Sequence, residues 1–144
     1  MPDKPLHERI VDRMYDYDLF SRWLGIERLE VAPGRCVLRM NVRKEMLNGF
    51  AIAHGGIAFS LADSALAFAS NSHGRKSVSI ETSISLVEPV KEGDVLTAES
   101  KEISLTHKIG IYHITVTNQD NKPVAFFKGT VYRTGQEWFG EEKN

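Results

Sequence analysis

The sequence predicts an α+β fold in which a curved antiparallel sheet wraps around one long central helix, with an extra helix at the N-terminus. Three observations lead there. Residues 54–74 read as a helix that is apolar nearly all round, so a larger body must enclose most of it. Residues 77–87 alternate apolar and small polar side chains with period two, as a strand does. The elements also run in the order helix, hairpin, helix and then four strands, which makes a single sheet the economical wrapping for the buried helix.

Along residues 5–23 the apolar positions Leu6, Ile10, Val11, Met14, Tyr15, Tyr17, Leu19, Phe20 and Trp23 recur at three- and four-residue steps. This is an amphipathic helix with a break expected near Asp18. Residues 26–32 and 35–42 flank Pro33-Gly34 and form a hairpin, with Cys36, Leu38, Met40 and Val42 alternating on its second strand. In the long helix, Gly55-Gly56 opens the segment and Gly74 closes it. Its small or polar residues Ser60, Asp63, Ser64, Ala67 and Ser70 fall at helical spacing and are expected on one stripe.

The strand over 77–87 places Val78, Ile80, Thr82, Ile84 and Leu86 on one face and Ser77, Ser79, Glu81, Ser83 and Ser85 on the other. The serine face either lines a seam or narrow tunnel, or is solvated. Strands over 94–106, 108–117 and 124–133 follow, with turns at Glu92-Gly93, Thr106-His107 and 118–123, and the last ten residues are expected to fray. Such a sheet has open edges and the helix needs a cover, so pairing with a second copy is expected.

Length and composition narrow the class. The chain has 144 residues, enough for one domain over 1–144 with its core over about 20–135 and too few for two comfortable ones. Eighteen basic against nineteen acidic side chains leave a net charge of −1, which argues against a broad nucleic-acid-binding face. The lone Cys36 cannot close an intrachain disulfide, and no Cys/His spacing suggests a metal. The charged N-terminus lacks an apolar signal core and no apolar run could span a membrane, so a cytoplasmic protein is expected.

Residues 46–72, MLNGFAIAHGGIAFSLADSALAFASNS, resemble the motif of hotdog-fold acyl-CoA thioesterases, nearest to the phenylacetic-acid-degradation (PaaI-type) family. The matched pieces are Asn48-Gly49, His54-Gly55-Gly56, Phe59, Leu61-Ala62-Asp63 and Asn71, and the order of elements matches over about 20–135. The resemblance implies hydrolysis of an acyl-CoA thioester, with a small to medium acyl group that can be aromatic and phenylacetyl-like. It implies a site shared between two subunits, with Asn48, His54 and Gly55 from one and Asp63 from the other. Gly56, Phe59 and Ser79 are implied as substrate-binding residues. A homodimer at minimum and a dimer of dimers (homotetramer) are implied, with no cofactor beyond the CoA of the substrate.

Those residue types suit the reaction. A thiolate leaves readily, so hydrolysis needs an attacking oxygen and a stabilised oxyanion, not a metal. Asp63 can be general base for water or the nucleophile itself; burial would raise its pKa and a nearby donor or the positive helix end would lower it, so a perturbed group is expected. The Gly55 N–H opens a helix, where donors lack intrahelical partners, and glycine leaves room for the carbonyl to approach. His54 would fix the loop or contact the thioester; Asn48 would orient water or hold Asp63.

Plainer readings stand beside these. Asn71 reads as a helix cap, and His73, His107 and His113 as structural. Arg22, Lys44, Arg75, Lys76 and Arg133 are available cations for CoA phosphates. The alternatives to a thioesterase are a non-catalytic acyl-CoA-binding or sensing protein of the same fold and a hotdog enoyl-CoA hydratase.

Overall fold

The structure, a computed structural model, describes residues 4–140. Helices α1 (Leu6–Tyr17) and α2 (Leu19–Leu24) precede the hairpin β1 (Glu27–Ala32) and β2 (Arg35–Asn41). A 3-10 turn, Lys44–Met46, and a loop lead into α3 (Gly55–Asn71). Strands β3 (Arg75–Leu86), β4 (Val95–Leu105), β5 (Ile109–Thr117) and β6 (Pro123–Glu137) complete the chain. The six strands form one sheet in the order β1-β2-β4-β5-β6-β3, antiparallel throughout. The sheet wraps α3, as the sequence predicts.

The core lies between them. Leu61, Ala62, Ala65, Leu66, Phe68 and Ala69 of α3 cluster with Leu38 and Met40 of β2, Leu96 of β4, Tyr112 and Ile114 of β5 and Phe127 of β6. Small residues let the layers close: a Cβ on Gly129 would lie 2.5 Å from Cδ2 of Leu66. The break expected at Asp18 is also present. There the Asp18 carboxylate caps α2, its Oδ1 accepting from the Ser21 N–H at 2.9 Å and its Oδ2 from the Ser21 hydroxyl at 2.6 Å.

Three expectations need correction. First, the polar stripe expected on α3 is divided. Ser64 and Ser70 leave the expected polar stripe and are buried, Ser64 sharing a 2.7 Å hydroxyl contact with Ser21 of α2. Gly56, Ser60, Asp63 and Ala67, at helical spacing, are at least partly open, and Asp63 is exposed.

Second, the alternation over 77–87 does not mark two continuous faces. A β-bulge between Ser79 and Glu81 makes Ile80 an extra residue. Before it, Ser79 pairs with the buried Val131, so Ser77 and Ser79 face the helix while Val78 pairs with the exposed Tyr132. After it, Thr82, Ile84 and Leu86 face the helix, and Ser83 and Ser85 lie on the outside. The serines are therefore divided between both sides. On this edge strand Val78 and Ile80 are 55% and 58% exposed.

Third, the chain does not fray from residue 135. Strand β6 continues to Glu137, and Trp138 is pinned twice, its backbone N–H to Gly74 O at 2.9 Å and its indole N–H to Asn71 Oδ1 at 2.9 Å. The rest of the expected frayed tail, 141–144, lies outside the described residues.

Candidate active site

The loop before α3 is a closed structure built around Asn48. Leu47 and Ala53 form an isolated bridge, and the Asn48 N–H donates to Ile52 O at 2.7 Å. The Asn48 side-chain oxygen accepts from the Phe50 N–H at 2.8 Å and more weakly from Ile52 at 3.4 Å. These bonds hold Ala51 at φ 62°, a conformation that L-residues adopt at a cost. The oxygen being occupied, the Asn48 amide NH₂ is the part left to meet a substrate, so Asn48 can act there only as a donor.

His54 is the N-cap residue of α3, with its backbone N–H bonded to Met46 O at 3.0 Å and its ring exposed and making no cap bond. The Ile57 N–H donates back to His54 O at 2.9 Å. Gly55 and Gly56 remain as helix-opening donors without a protein acceptor among the described residues. A Cβ on Gly55 would lie 2.5 Å from Leu86 Cδ1, so the last side chain of β3 packs where a larger residue would project.

Asn48, His54 and Gly55 line one cavity of about 350 Å³, open to solvent on one side. Its other walls include Ile52, Ala58, Leu86, Val87, Pro89, Val90 and Val124, with Glu88 beside them. The apolar walls suit an acyl group or the pantetheine arm; the helix N-terminus offers the polar contact. Sequence reasoning missed the wall from 86 to 90, although the end of an apolar-alternating strand ahead of Pro89 was a signal for it.

Asp63 is not in this cavity. It lies about two turns further along α3, roughly 12 Å along the axis at ~1.5 Å per residue. Although it reaches the protomer surface, its pKa is raised, first by loss of hydration among its neighbours and then by the negative charge of Asp18. Its carboxylate has no hydrogen-bond or ion-pair partner among the described residues. Gly56 is exposed near the cavity mouth without lining it. The Phe59 ring packs edge-on against Phe127, centroids 5.3 Å apart, and also lies outside the cavity. Ser79 is on the edge strand, turned to the helix side.

Other positions have structural duties. Asn71 ties the end of α3 to β3, its amide donating to Ala67 O and Ser77 O and its oxygen accepting from the Ser77 N–H. His73 lies 2.5 Å from Glu102 Oε2, which also accepts from the Tyr112 hydroxyl at 2.8 Å, a cluster that no local pattern of residues marks. Arg75 and Arg133 donate to the carbonyls of His107 and Thr106 in the β4–β5 turn. Arg22 donates to Asp16 O, and Lys76 lies over the Trp138 ring. Among the described residues no three His, Cys, Asp or Glu side chains converge as metal ligands would, and no helix is long and apolar enough to cross a membrane.

Comparison with known proteins agrees with this architecture. The model of the thioesterase superfamily matches residues 50–125. A putative esterase from Archaeoglobus fulgidus is 44% identical over 131 residues, covering 91% of this chain and 85% of that protein. The acyl-coenzyme A thioesterase PaaI of Escherichia coli is 39% identical over 128 residues, 89% of this chain and 91% of its own length. The structure of E. coli PaaI superposes with a TM-score of 0.89, covering 91% of this chain and 95% of that one at 37% identity. A hypothetical thioesterase from Streptococcus pneumoniae, solved with coenzyme A, superposes with a TM-score of 0.81 at 26% identity, covering 87% and 98%. With the wrapped helix and the glycine-opened cavity in place, the chain belongs to the thioesterase superfamily, in the hotdog-fold acyl-CoA thioesterase family of the PaaI type, and is a thioester hydrolase.

Proposed function

We propose that the protein hydrolyses acyl-CoA with small to medium acyl groups, phenylacetyl-like aromatic ones among them, at a site shared by two copies of the chain. One observation carries this reading: Asn48, His54 and Gly55 gather at one cavity while Asp63, on the same helix, stands about two turns away. A second copy can supply the missing carboxylate. The open stripe of α3 and the exposed edge strand β3 are the surfaces that would meet it. The assembly is a homodimer at minimum, with a dimer of dimers beyond it, acting in the cytoplasm with no cofactor other than the substrate's own CoA.

In this reading the thioester carbonyl points at the Gly55 N–H, backed by the α3 dipole, which stabilises the oxyanion as it forms. Asp63 of the second copy removes a proton from water as its oxygen adds to the carbonyl carbon, or attacks that carbon itself. Collapse of the tetrahedral intermediate breaks the C–S bond. In the first route the proton taken up by Asp63 ends on the departing thiolate; in the second, water then hydrolyses the Asp63–acyl anhydride, regenerating the carboxylate and supplying the thiolate's proton. The Asn48 amide and the His54 ring complete the polar side, and Ser79, Gly56 and Phe59 are candidates for substrate-binding positions in the joined site.

The test is a panel of acyl-CoAs with CoA release followed by a thiol reagent. Release from short, medium and arylacetyl thioesters is expected, and a protein that turns over only long-chain thioesters refutes the substrate assignment. Mixing Asp63→Ala with Gly55→Ala subunits should restore part of the activity, since one of the two sites in each mixed dimer is then intact. A verified heterodimer that stays inactive overturns the shared site.

A further inference from the structure

We propose that Asp18 is a positioning residue for the hydrolysis, acting on Asp63 through the Ser21–Ser64 hydroxyl pair and through its own anchored negative charge. The inference rests on the reading of Asp63 as the group that activates the attack.

The geometry is a short relay between two helices. Both Asp18 oxygens are engaged by Ser21, one by its N–H at 2.9 Å and one by its hydroxyl at 2.6 Å. The Ser21 hydroxyl in turn meets that of Ser64 at 2.7 Å, and both serines are buried. Ser64 follows Asp63 directly in α3, so this contact fastens α2 to the helical turn that carries Asp63. Cutting it would leave the buried Ser64 hydroxyl without this partner, while Ser21 keeps its bond to Asp18.

The two carboxylates have opposite surroundings. Asp18 accepts hydrogen bonds at both oxygens and caps α2, where the helix N-terminus favours a negative charge. Asp63 accepts none within the protomer, is partly desolvated and feels the charge of Asp18, all of which favour its taking up a proton. Of the other charges near these elements, Arg13 lies over the Tyr17 ring in a pocket that Asp18 also lines. Arg22 bonds Asp16 O, Arg43 bonds Leu24 O, and Glu81 is paired with Lys128 and Thr130 on the outer side of the sheet. In the proposed shared site the cavity of the second copy would bring two titratable groups toward Asp63, His54 and Glu88.

The conservative change Asp18→Asn keeps a good N-cap while removing the charge, and Asp18→Ser does the same with a shorter side chain. Both should fold, to be checked by circular dichroism and thermal melts. The readout is the pH profile of kcat and kcat/KM for the full-length protein at low and high salt. The acid limb should move to lower pH in Asp18→Asn, by less at high salt, because an anion no longer opposes ionisation of Asp63. Plateau kcat should fall about threefold with KM unchanged, as a weaker base predicts. The profile of His54→Gln should keep its acid limb.

Ser21→Ala, which frees Asp18 and breaks the contact with Ser64, should lower kcat as well. If Asp63→Asn is inactive but Asp18→Asn and Asp18→Ser follow the wild-type profile, the role of Asp18 is overturned and that of Asp63 stands. If Asp63→Asn retains wild-type turnover, the reading of Asp63 falls and the inference falls with it.

Discussion

Gly55→Ala is the most direct probe of the cavity, because the structure separates its effect on folding from its effect on chemistry. The added Cβ would lie 2.5 Å from Leu86 Cδ1, closer than two carbons can stand. Leu86 is 54% exposed and its terminal methyl can swing outward, at a cost of about 1 kcal/mol for an imperfect rotamer. Replacing glycine by alanine at a helix start returns roughly 0.5–1 kcal/mol of backbone entropy, so the two nearly cancel and Tm should move by no more than a few degrees. Catalysis has no such offset. If the methyl keeps the carbonyl from the Gly55 N–H, the loss of one oxyanion donor is about 3 kcal/mol, or roughly a hundredfold in kcat. The assay is CoA release under saturating acyl-CoA, paired with a melting curve. The double variant Gly55→Ala/Leu86→Ala removes the clash and leaves the methyl, so it should stay as slow as the single one. Recovery in the double variant would show that a displaced Leu86 caused the loss, and unchanged kcat in Gly55→Ala would remove the donor from the mechanism.

The pKa of Asp63 is raised in the folded protein, so ionising it favours the unfolded chain. That penalty is absent below about pH 3, where both states are protonated, and it sets in as pH rises through the ordinary carboxylate value near ~3.9. Asp63→Asn should therefore melt higher than wild type at neutral pH, with the gap closing in acid, while turnover falls at least about a hundredfold; a lower Tm at pH 7 contradicts the sign. Gly129→Val would push a branched side chain into Leu66, itself boxed in by the core, and should cost about 1–3 kcal/mol in denaturant melts, whereas an unchanged midpoint would mean the layers can part. The Cys36 thiol is buried and pushed up to about 12, so it should resist thiol reagents in the native protein and react on unfolding. Rapid labelling without denaturant would contradict that burial; its absence keeps the CoA-release assay free of background from the protein.

Periodicity made the fold legible. The helix over 54–74, the hairpin at Pro33-Gly34 and the break at Asp18 all follow from apolar spacing and from residues that can cap or turn. What escaped depends on pairing between distant segments. The bulge at Ile80 is invisible to a pattern that alternates smoothly through it, because only the partner strand fixes which face each half presents. Trp138 lies in a polar tail whose order comes from Asn71, 67 residues earlier. At the site, the motif marked Asn48, His54, Gly55 and Asp63, and the cavity unites the first three. The role of Asn48 in holding Ala51, the wall from Leu86 to Val90 and the Asp18–Ser21–Ser64 relay arise from through-space contacts that no local run of residues encodes.

The surplus residue in β3 has a bearing on how related chains should be compared. With Ile80 omitted, Ser79 could still oppose Val131 and Glu81 could still oppose Thr130, so the strand tolerates a one-residue change of length by closing the irregularity. A homologue shorter by one at that point would present the same functional groups toward the helix. Correspondence there follows the cross-strand neighbour, and counting forward from the Asp63 helix would put every residue from Glu81 onward one place out.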